Sequence, residues 1–412
     1  MKNYKIKIVK GVFVLCSLFS VLLAQSQELQ TYIVEAETNN PEIQALELRY
    51  NIAEEKVNEA DWIPNTEFSA GYFVSEPETR TGAQRARFSA KQMLPWFGTI
   101  TARGNYSKSM ADAEYVEITI AKRKLAMAIS QSYYKLYEIR AKQKVLDENI
   151  QLLETYERFA LTSVEVGKAS AVDVLRLQIR QNELQQQKEV LEELFIAEQT
   201  AFNNLLNRDI TTDVEVYSML EIPTEDVLIN EEALTLNPEL LKFDKLYESV
   251  SLAEALNQAD SNPMIGFGVD YIPVSERPDM SFSDNGKDIF MPMVAVTIPI
   301  FNKRYKSISK QNELRQLEIT SQKENRLNVL ETALAKTISQ RNQARIAYKT
   351  QEINLKQAKD AEEILIKNYE TGTIDFNDVL DIQELQLKFQ TNQVESVQLY
   401  YMQAAIINYL IN

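Results

Sequence analysis

Two stretches of the sequence are free of proline and almost free of glycine over roughly sixty residues each. They run from about 102 to 164, with Gly104 as the exception, and from about 303 to 369. Apolar residues in the second stretch recur every three or four positions, at Leu327, Leu330, Leu334 and Ile338. That spacing is typical of one face of an α-helix, and about sixty helical residues span about 90 Å. A compact globular domain does not need such elements, so the sequence predicts two long helical rods.

A glycine-bearing turn follows each predicted rod, at 166–168 and 371–373, and leads into a returning helix. The apolar residues spaced for one face of these helices are Leu184, Leu191 and Leu194 in the first and Ile382, Leu385 and Phe389 in the second. Each rod is therefore expected to form an antiparallel helical hairpin with the helix that follows it.

Residues 1–26 have the pattern of a secretory signal peptide. Four lysines precede the apolar run 11–23, and Ala24 and Ser26 are the small residues of a cleavage site. This run is shorter than the roughly 20 apolar residues that span a bilayer, and a membrane anchor is the alternative. Cys16 lies in this segment behind a bulky leucine, which is a poor fit for a lipidation site. We therefore expect an exported mature chain without cysteine or lipid.

The composition excludes several classes of function. The sequence has no histidine and only one cysteine, which excludes Ser-His-Asp and Cys-His catalysis and zinc sites built from His and Cys. A formal net charge of −15 disfavours nucleic acid as a partner, because the phosphate backbone attracts basic surfaces. No glycine-rich phosphate loop occurs. The sequence predicts a non-enzyme with no catalytic, cofactor-binding or metal-binding residues.

The sequence also repeats itself. Asn40-Pro41-Glu42 recurs as Asn237-Pro238-Glu239, and the segment around Asp173-Val174-Leu175 recurs around Asp378-Val379-Leu380. Matches in the same order at separate places predict two structural repeats, at 27–207 and 237–412, joined by a linker or equatorial segment at 208–236.

Each predicted repeat carries two strand-like segments between its first helix and its long rod. Apolar and polar residues alternate over 67–74 and 85–91 in the first repeat, and over 265–271 in the second. The fourth segment, 289–298, is apolar on both faces. Period-two alternation is typical of half-buried strands, so each repeat is expected to contain a β-hairpin.

Strands that face lipid must close into a cylinder, because an unpaired edge leaves backbone groups unsatisfied. Single-chain barrels begin at about eight strands, and this chain supplies four. Three copies related by cyclic symmetry would supply twelve. The chain must therefore either keep its strands out of lipid or share one barrel among several copies.

The sequence resembles the TolC family of outer-membrane efflux proteins. The resemblance rests on the signal peptide, the duplicated helix–hairpin–helix order, the segment Leu94-Pro95-Trp96-Phe97 and the turn at 369–373 followed by Asp378–Asp381. It covers essentially the whole mature chain. It implies a mainly α fold with a small β part, in which a homotrimer forms a twelve-stranded outer-membrane β-barrel continued by a long periplasmic α-helical coiled-coil tunnel.

The resemblance also implies a function: a passive exit duct of a tripartite efflux or type I secretion system. A periplasmic adaptor (membrane fusion) protein and an inner-membrane pump would be its partners, and outer-membrane lipid would surround its strands. The short chain and the Leu94-Pro95-Trp96-Phe97-Gly98 segment favour the heavy-metal branch of the family, while drug and protein export stay open.

The family's periplasmic gate falls on Tyr369, Asp378 and Asp381, with Asp173 as the partner in the first repeat. Asp378 and Asp381 are three residues apart and share one helix face, so a trimer would stack two rings of carboxylates that favour cations. The alternative is that Asp375 caps the helix and Asp378 complements its positive N-terminal dipole, and Asp173 has the same alternative. A basic residue of the family's gate is replaced here by Ile374, so we expect closure to rest more on packing than on charge.

The resemblance further implies adaptor contacts at the tips of the helical hairpins, at Gly167, Lys168, Ala169, Gly372 and Thr373. The alternative is a plain interhelical turn that needs glycine. Aromatic residues at the strand-to-helix junctions, Trp96, Phe97 and Phe301, would lie at the membrane interface, with core packing as their alternative.

Two other functions compete with the channel. One is a structural coiled-coil protein of the cell envelope, and the other is a secreted enzyme with paired carboxylates. The duplicated strand pairs favour the channel, because a coiled-coil spacer has no need of them and an enzyme would need a compact cleft.

Overall fold

The computed structural model describes residues 28–165, 170–226, 229–279, 281–371, 373–374 and 376–411. The predicted signal peptide lies outside the described residues. The chain divides into two compact units. One, which we call the strand unit, comprises Leu46–Glu117 and Pro238–Arg326. The other, the helical unit, comprises Met1–Ala45, Ile118–Asn237 and Leu327–Asn412.

One order of elements occurs twice along the chain. A helix at 28–39 (α1) precedes the first set, which comprises α2 (Pro41–Glu59), β1 (Glu67–Tyr72), β2 (Glu78–Thr79), β3 (Gly82–Gln84), β4 (Ala86–Leu94), α3 (Thr99–Glu165) and α4 (Ala171–Leu205). A 3₁₀ helix (Glu231–Leu236) precedes the second set, which comprises α5 (Pro238–Asp260), β5 (Met264–Ile272), β6 (Val274–Ser275), β7 (Ile289–Thr297), α6 (Arg304–Glu370) and α7 (Phe376–Ile411). The predicted mainly α fold with two long rods is confirmed, since α3 and α6 have 67 residues each.

The duplicated Asn-Pro-Glu segment ties the beginning of each set to its end. The side-chain amide of Asn40 donates to the carbonyl of Leu205 at 3.0 Å, near the end of α4. Asn237 makes the equivalent bond to the carbonyl of Leu410 at 2.9 Å, near the end of α7. Proline tolerates the first helical position, where an N–H would have no partner within the helix. The repeated motif therefore has two roles. It begins one helix, and its asparagine donates a hydrogen bond to a carbonyl near the end of another helix.

The strand unit contains a four-stranded antiparallel sheet in the order β1-β4-β5-β7. Its register places Glu67 opposite Lys91 and Ser89 opposite Asp270. Since side chains alternate between faces, the charged residues, serines and methionines of this sheet fall on one face, namely Glu67, Ser69, Arg87, Ser89, Lys91, Met93, Met264, Asp270, Met291 and Met293. The opposite face carries exposed large apolar side chains, among them Phe68, Tyr72, Phe88, Phe267, Tyr271, Phe290, Val294 and Val296. One face is suited to water and the other to lipid.

A second, smaller sheet joins the two connections between the main strands. It pairs β3 with both β2 and β6, so that the first connection contacts the second. Gly82 has a φ of +129°, and a Cβ atom there would overlap the carbonyl oxygen of Ser275. Glycine is required at this close approach. The sequence predicted only polar connections here, because two- and three-residue strands leave no periodic pattern.

The core of the helical unit includes aromatic and aliphatic residues that recur at helical spacing. Ile129, Tyr133 and Leu136 on α3 are fully buried, and the predicted face of α6 is confirmed at Leu330 and Leu334. The returning helices confirm the prediction at Leu184, which is fully buried, and differ from it at two other positions. Leu194 and Leu385 are exposed, and the buried residues nearby are Phe195, Gln383, Gln386 and Leu387. The prediction failed there because it assumed that buried positions are apolar, whereas these glutamines are buried with hydrogen-bond partners.

Tyrosine hydroxyl groups of the helical unit form hydrogen bonds with the segment that connects the two sets of elements. The hydroxyl of Tyr133 accepts the backbone N–H of Tyr217 at 3.1 Å, and that of Tyr137 accepts the N–H of Leu220 at 3.0 Å. Burial, the main cause, raises the pKa of both phenols. An extended segment without a sheet partner thereby satisfies its backbone donors through side chains.

Asp226 fixes the same segment to α6 and α7. Its carboxylate lies 3.1 Å from Arg341 Nη2, contacts Arg345 and accepts the Tyr400 hydroxyl at 2.6 Å. Burial alone would raise the pKa of this carboxyl, but the Tyr400 hydrogen bond and the two guanidinium charges outweigh it, so the pKa lies below its usual value. Arg341 is itself buried. The carboxylate is thus the counter-charge of a buried cation.

None of the described helices is long and apolar enough to cross a membrane.

We expect Asp226→Asn to destabilise the helical unit by about 2 kcal/mol at neutral pH, because it leaves the buried Arg341 without its counter-charge. Since folding lowers the Asp226 pKa, its contribution is complete above the unfolded pKa of about 3.9 and is lost as the pH falls through the folded value. Thermal unfolding in detergent at several pH values measures both effects. The wild type and the variant should converge in acid. The neighbouring exposed residue supplies the control, Glu225→Gln, and equal destabilisation by both variants would contradict this role.

Candidate functional site

The residues predicted to form the site lie where the long helices turn back. Gly167, Lys168, Ala169, Gly372 and Asp375 lie outside the described residues. Thr373 is described and exposed, and its backbone N–H and hydroxyl both donate to the carbonyl of Asn368, at 3.0 and 2.8 Å. These bonds cap the last turn of α6 after its final regular residue, Glu370.

Tyr369 packs into an aromatic cluster at the end of α6. Its ring centroid lies 4.9 Å from that of Phe376 in an edge-on arrangement and 6.1 Å from that of Phe159. Phe376, the first residue of α7, is almost fully buried. Edge-on aromatic pairs add to the free energy of burial. The cluster therefore holds the ends of α3, α6 and α7 together.

Asp173 is part of a capping box at the start of α4. Its carboxylate accepts the backbone N–H of Ser170 at 3.2 Å, and the Ser170 hydroxyl accepts the N–H of Val172 at 3.2 Å. The side chain is largely buried, and Arg176 lies 4.0 Å away. The geometry supports the helix-capping alternative for Asp173.

Asp378 and Asp381 both lie exposed on α7, which places the two carboxylates on an accessible helix surface. Asp381 and the exposed Glu384 line a groove between α7 and α4. Asp378, Asp381 and Glu384 are spaced three residues apart along the first turns of α7. We call these three residues the acidic row.

Two arginines from α4 face this groove, and the sequence analysis missed them. Arg180 Nη2 lies 4.0 Å from Glu384 Oε1, and Arg176 donates to Asn377. A comparison of the two sequence repeats could have identified one of these arginines. At the offset that aligns Asp173 with Asp378, Arg176 aligns with Asp381, so equivalent positions carry opposite charges. Basic groups at this end of the molecule come from α4, whereas the family's basic gate residue corresponds to Ile374 after the second turn.

A buried polar cluster lies behind the acidic row. Tyr156 donates to Glu362, Gln386 donates to the same carboxylate at 2.8 Å, and Gln383 donates to the Tyr156 hydroxyl at 3.3 Å. Burial, followed by the Glu362 carboxylate, raises the pKa of Tyr156, so the phenol keeps its proton. The buried glutamines that broke the predicted apolar spacing of α7 thus join α3, α6 and α7.

The aromatic residues at the strand-to-helix junctions lie on the surface of the chain. Trp96 and Phe97 follow β4, with ring centroids 5.9 Å apart, and Phe301 follows β7. Phe97 is 85% exposed and Phe301 is 96% exposed. Packing in the core of the single chain, the alternative considered for these rings, does not describe Phe97 or Phe301.

Residues 32–208 match the family model of the outer membrane efflux proteins. This part of the chain therefore carries the sequence pattern of the outer membrane efflux proteins. The match covers the first set of elements, and the second set repeats its order of long helices and strands.

Solved outer-membrane proteins share the fold of this chain. CusC superposes with a TM-score of 0.73 at 15% identity, covering 93% of this chain and 92% of that one. VceC from Vibrio cholerae gives a TM-score of 0.70 at 17% identity, with 93% and 96% covered. The CmeC channel of Campylobacter jejuni gives 0.71 at 14% identity, with 93% and 85% covered. A comparison with curated proteins gives no match.

The match of residues 32–208 bears on the functions considered from the sequence. Outer membrane efflux proteins are passive channels with a periplasmic helical extension, so the match and the shared fold support an exit duct of the outer membrane rather than an enzyme. Channels of the family are homotrimers that work with adaptors and inner-membrane pumps.

The capping box at the start of α4 yields a test of the Ser170 cap. Ser170→Ala removes the acceptor for the Val172 N–H and should cost about 1 kcal/mol. Backbone amides in the first turn of α4 should then exchange with solvent several times faster, because local opening becomes easier. Hydrogen exchange monitored by mass spectrometry measures this. Thr162→Ala, which removes an exposed hydroxyl from a helix interior, is the control. Unchanged exchange at α4 would show that the cap contributes nothing.

Proposed function

We propose that three copies of this chain close one twelve-stranded sheet in the outer membrane and form a continuous duct. The observation that carries the proposal is the four-stranded sheet with one apolar, exposed face and two open edges. β1 and β7 are those edges, and in the described part of the chain neither pairs with a second neighbour in this sheet. An open edge in hydrocarbon would leave backbone N–H and C=O groups unsatisfied.

The direction of the strands supports closure by copies of the same chain. Each neighbouring pair in the sheet is antiparallel, so β1 and β7 run in opposite directions. The β7 of one copy can therefore pair with the β1 of the next in the same antiparallel manner. β4, β5 and β7 have nine residues each, within the range that tilted strands use to cross a bilayer.

The helical unit supports association of the same copies. Apolar side chains that are exposed in the single chain occur on α4, α6 and α7, among them Leu175, Ile179, Leu194, Ile346, Ile353, Ile364 and Leu385. Repeated exposed apolar residues along long helices are typical of an interface with a partner helix. In the proposed trimer, neighbouring copies cover these residues.

The acidic row is proposed as the charged constriction of the duct. Threefold symmetry would repeat Asp378 and Asp381 around the axis as two rings, and rings of carboxylates in a narrow passage attract cations. Arg176 and Arg180 supply opposite charges from the adjacent helix, so we propose closure by ion pairs in addition to packing. Tyr369 stabilises the hairpin end that carries the ring.

The proposed partners are a periplasmic adaptor and an inner-membrane pump, with the adaptor contacting the hairpin tips at Gly167, Lys168, Ala169, Gly372 and Thr373. In such an assembly the pump selects the substrate, which we propose to be a metal ion or a drug. The duct then contributes only charge selectivity at its constriction.

Reconstitution in planar bilayers tests the duct and its constriction together. The wild-type protein should form pores that favour cations and that multivalent cations block. Asp378→Asn combined with Asp381→Asn should lower the ratio of cation to anion permeability and weaken the block by about tenfold, because both carboxylate rings lose their charge.

The matched control is Asp360→Asn, which neutralises an exposed carboxylate elsewhere on α6. It should conduct like the wild type. A double variant with unchanged selectivity would remove the acidic row from the proposal, and a wild-type protein that forms no pores would remove the duct itself.

A further inference from the structure

Methionine is distributed unevenly between the two faces of the four-stranded sheet. We call the face with the charged residues and serines the polar face. The register assigns every methionine of β1, β4, β5 and β7 to the polar face, namely Met93, Met264, Met291 and Met293. The opposite face of these four described strands carries Phe, Tyr, Ile and Val but no methionine. A side chain that only filled apolar space would suit that face equally well, so the placement indicates a role for the sulfur atom.

Two glycines of β5 make room for two of these methionines. A Cβ atom on Gly266 would overlap the sulfur of Met93, which reaches over from β4. A Cβ atom on Gly268 would lie 3.5 Å from the terminal methyl carbon of Met293, which reaches over from β7. Thioether side chains from both neighbouring strands therefore cover the same short stretch of β5.

The ends of these two side chains lie close to each other. Residues two apart on a strand share one face and are separated by about 7 Å. Met93 and Met293 occupy the space above Gly266 and Gly268, which are two residues apart, so they approach that stretch from opposite sides. Methionine is unbranched and has three rotatable bonds, so both sulfurs can turn toward one ion between them.

A pair of thioethers selects a soft metal ion. Methionine sulfur is a polarisable ligand that suits Cu(I), whereas Mg²⁺ and Ca²⁺ prefer carboxylate, carbonyl and water oxygens. Within the residues that the structure describes, no group of three or more His, Cys, Asp or Glu side chains could hold a metal ion. The thioethers are therefore the candidate metal ligands of the polar face.

The carboxylates of the polar face already face cationic groups. Asp270 is fully buried, accepts the Ser89 hydroxyl at 2.6 Å and contacts the guanidinium of Arg87. Glu67 lies directly opposite Lys91 in the register. Since these charges compensate each other, a cation that prefers oxygen ligands gains little here, and the neutral sulfur ligands stay available.

The methionines are accessible from the space above the sheet. A cavity of about 800 Å³ is lined by Gly268 and Met293 together with charged residues of the polar face such as Lys91. Met291, two residues before Met293 on the same face, is 39% exposed. A dissolved ion that enters this cavity therefore meets thioether groups.

We infer that Met93 and Met293 bind a soft monovalent metal ion, Cu(I) or Ag(I), at one site in each copy. Met264 and Met291 supply further thioethers along the same face. A passage requires binding that is weak enough for release and spread over several sites, which neutral single-sulfur ligands provide. The inference rests on the proposed function, because the polar face lines a duct only if three copies close the sheet. It names soft metal ions as the substrate class.

Equilibrium dialysis of the purified protein in detergent against Ag(I) tests the site. Silver is the probe because Ag(I) needs no reductant, and nitrate salts replace chloride, which precipitates silver. The wild-type protein should retain silver in a large excess of Mg²⁺ or Ca²⁺, because these ions prefer oxygen ligands. Analysis of silver on both sides of the dialysis membrane gives the bound amount per chain.

Two double variants locate the bound silver. Met93→Leu combined with Met293→Leu removes both sulfurs while nearly conserving side-chain volume, and it should weaken Ag(I) binding about tenfold. Met110→Leu combined with Met219→Leu is the matched control, because both side chains are exposed and lie outside the sheet. The control should bind silver like the wild type.

Undiminished binding by the Met93 and Met293 double variant would overturn the inference. Equal losses in both double variants would also overturn it, in favour of non-specific binding to exposed thioethers, and displacement of silver by Mg²⁺ would do so in favour of oxygen ligands. Conductance of the same preparation in planar bilayers separates this site from the proposed function. A protein that forms pores but fails the silver test refutes only the methionine site, whereas a protein that forms no pores refutes the duct.

Discussion

Unpaired backbone groups at the edges of a sheet impose the strongest physical constraint on this protein. β1 and β7 present such edges beside an apolar face that carries Phe68, Phe290 and Val294. Exposure of the apolar face to water is unfavourable, and exposure of the unpaired backbone groups at the edges to lipid is unfavourable. Closure with copies of the same chain removes both costs at once. Channels of the outer membrane efflux protein family are homotrimers, and the alternating strand directions of this chain allow the same closure.

Within the helical unit, hydrogen bonds and ion pairs between side chains fix the connecting segment and the helices to one another. Asp226 neutralises the buried Arg341, and tyrosine hydroxyls accept the backbone donors of the segment that precedes it. Glu362 is shared by Tyr156 and Gln386. These groups stabilise the connections between helices, while exposed apolar residues such as Ile179 and Leu385 remain for contacts with other chains.

The long helices and strands could be predicted from the sequence because a repeating spacing of apolar residues is informative when it continues over many residues. The absence of proline and glycine located α3 and α6 almost to their ends, and period-two alternation located β1 and β5. Short elements such as β3 were missed because they contain too few residues for a repeating pattern of apolar and polar side chains. The buried face of α7 was predicted wrongly because Gln383 and Gln386 are polar, and their partner Glu362 is distant in sequence. Arg180 was missed for the same reason, since its position opposite Glu384 depends on tertiary packing.

Cross-linking between the sheet edges measures the central claim most directly. The only cysteine of the sequence is Cys16, in the predicted signal peptide, so introduced cysteines are unambiguous. Ser69→Cys in β1 can be combined in turn with Met293→Cys, Ala295→Cys or Thr297→Cys in β7, all on the polar face. If β7 of one copy pairs with β1 of the next, at least one combination gives disulfide-linked dimers and trimers in membranes, and each single variant gives none. Monomers in all three combinations would contradict the shared sheet.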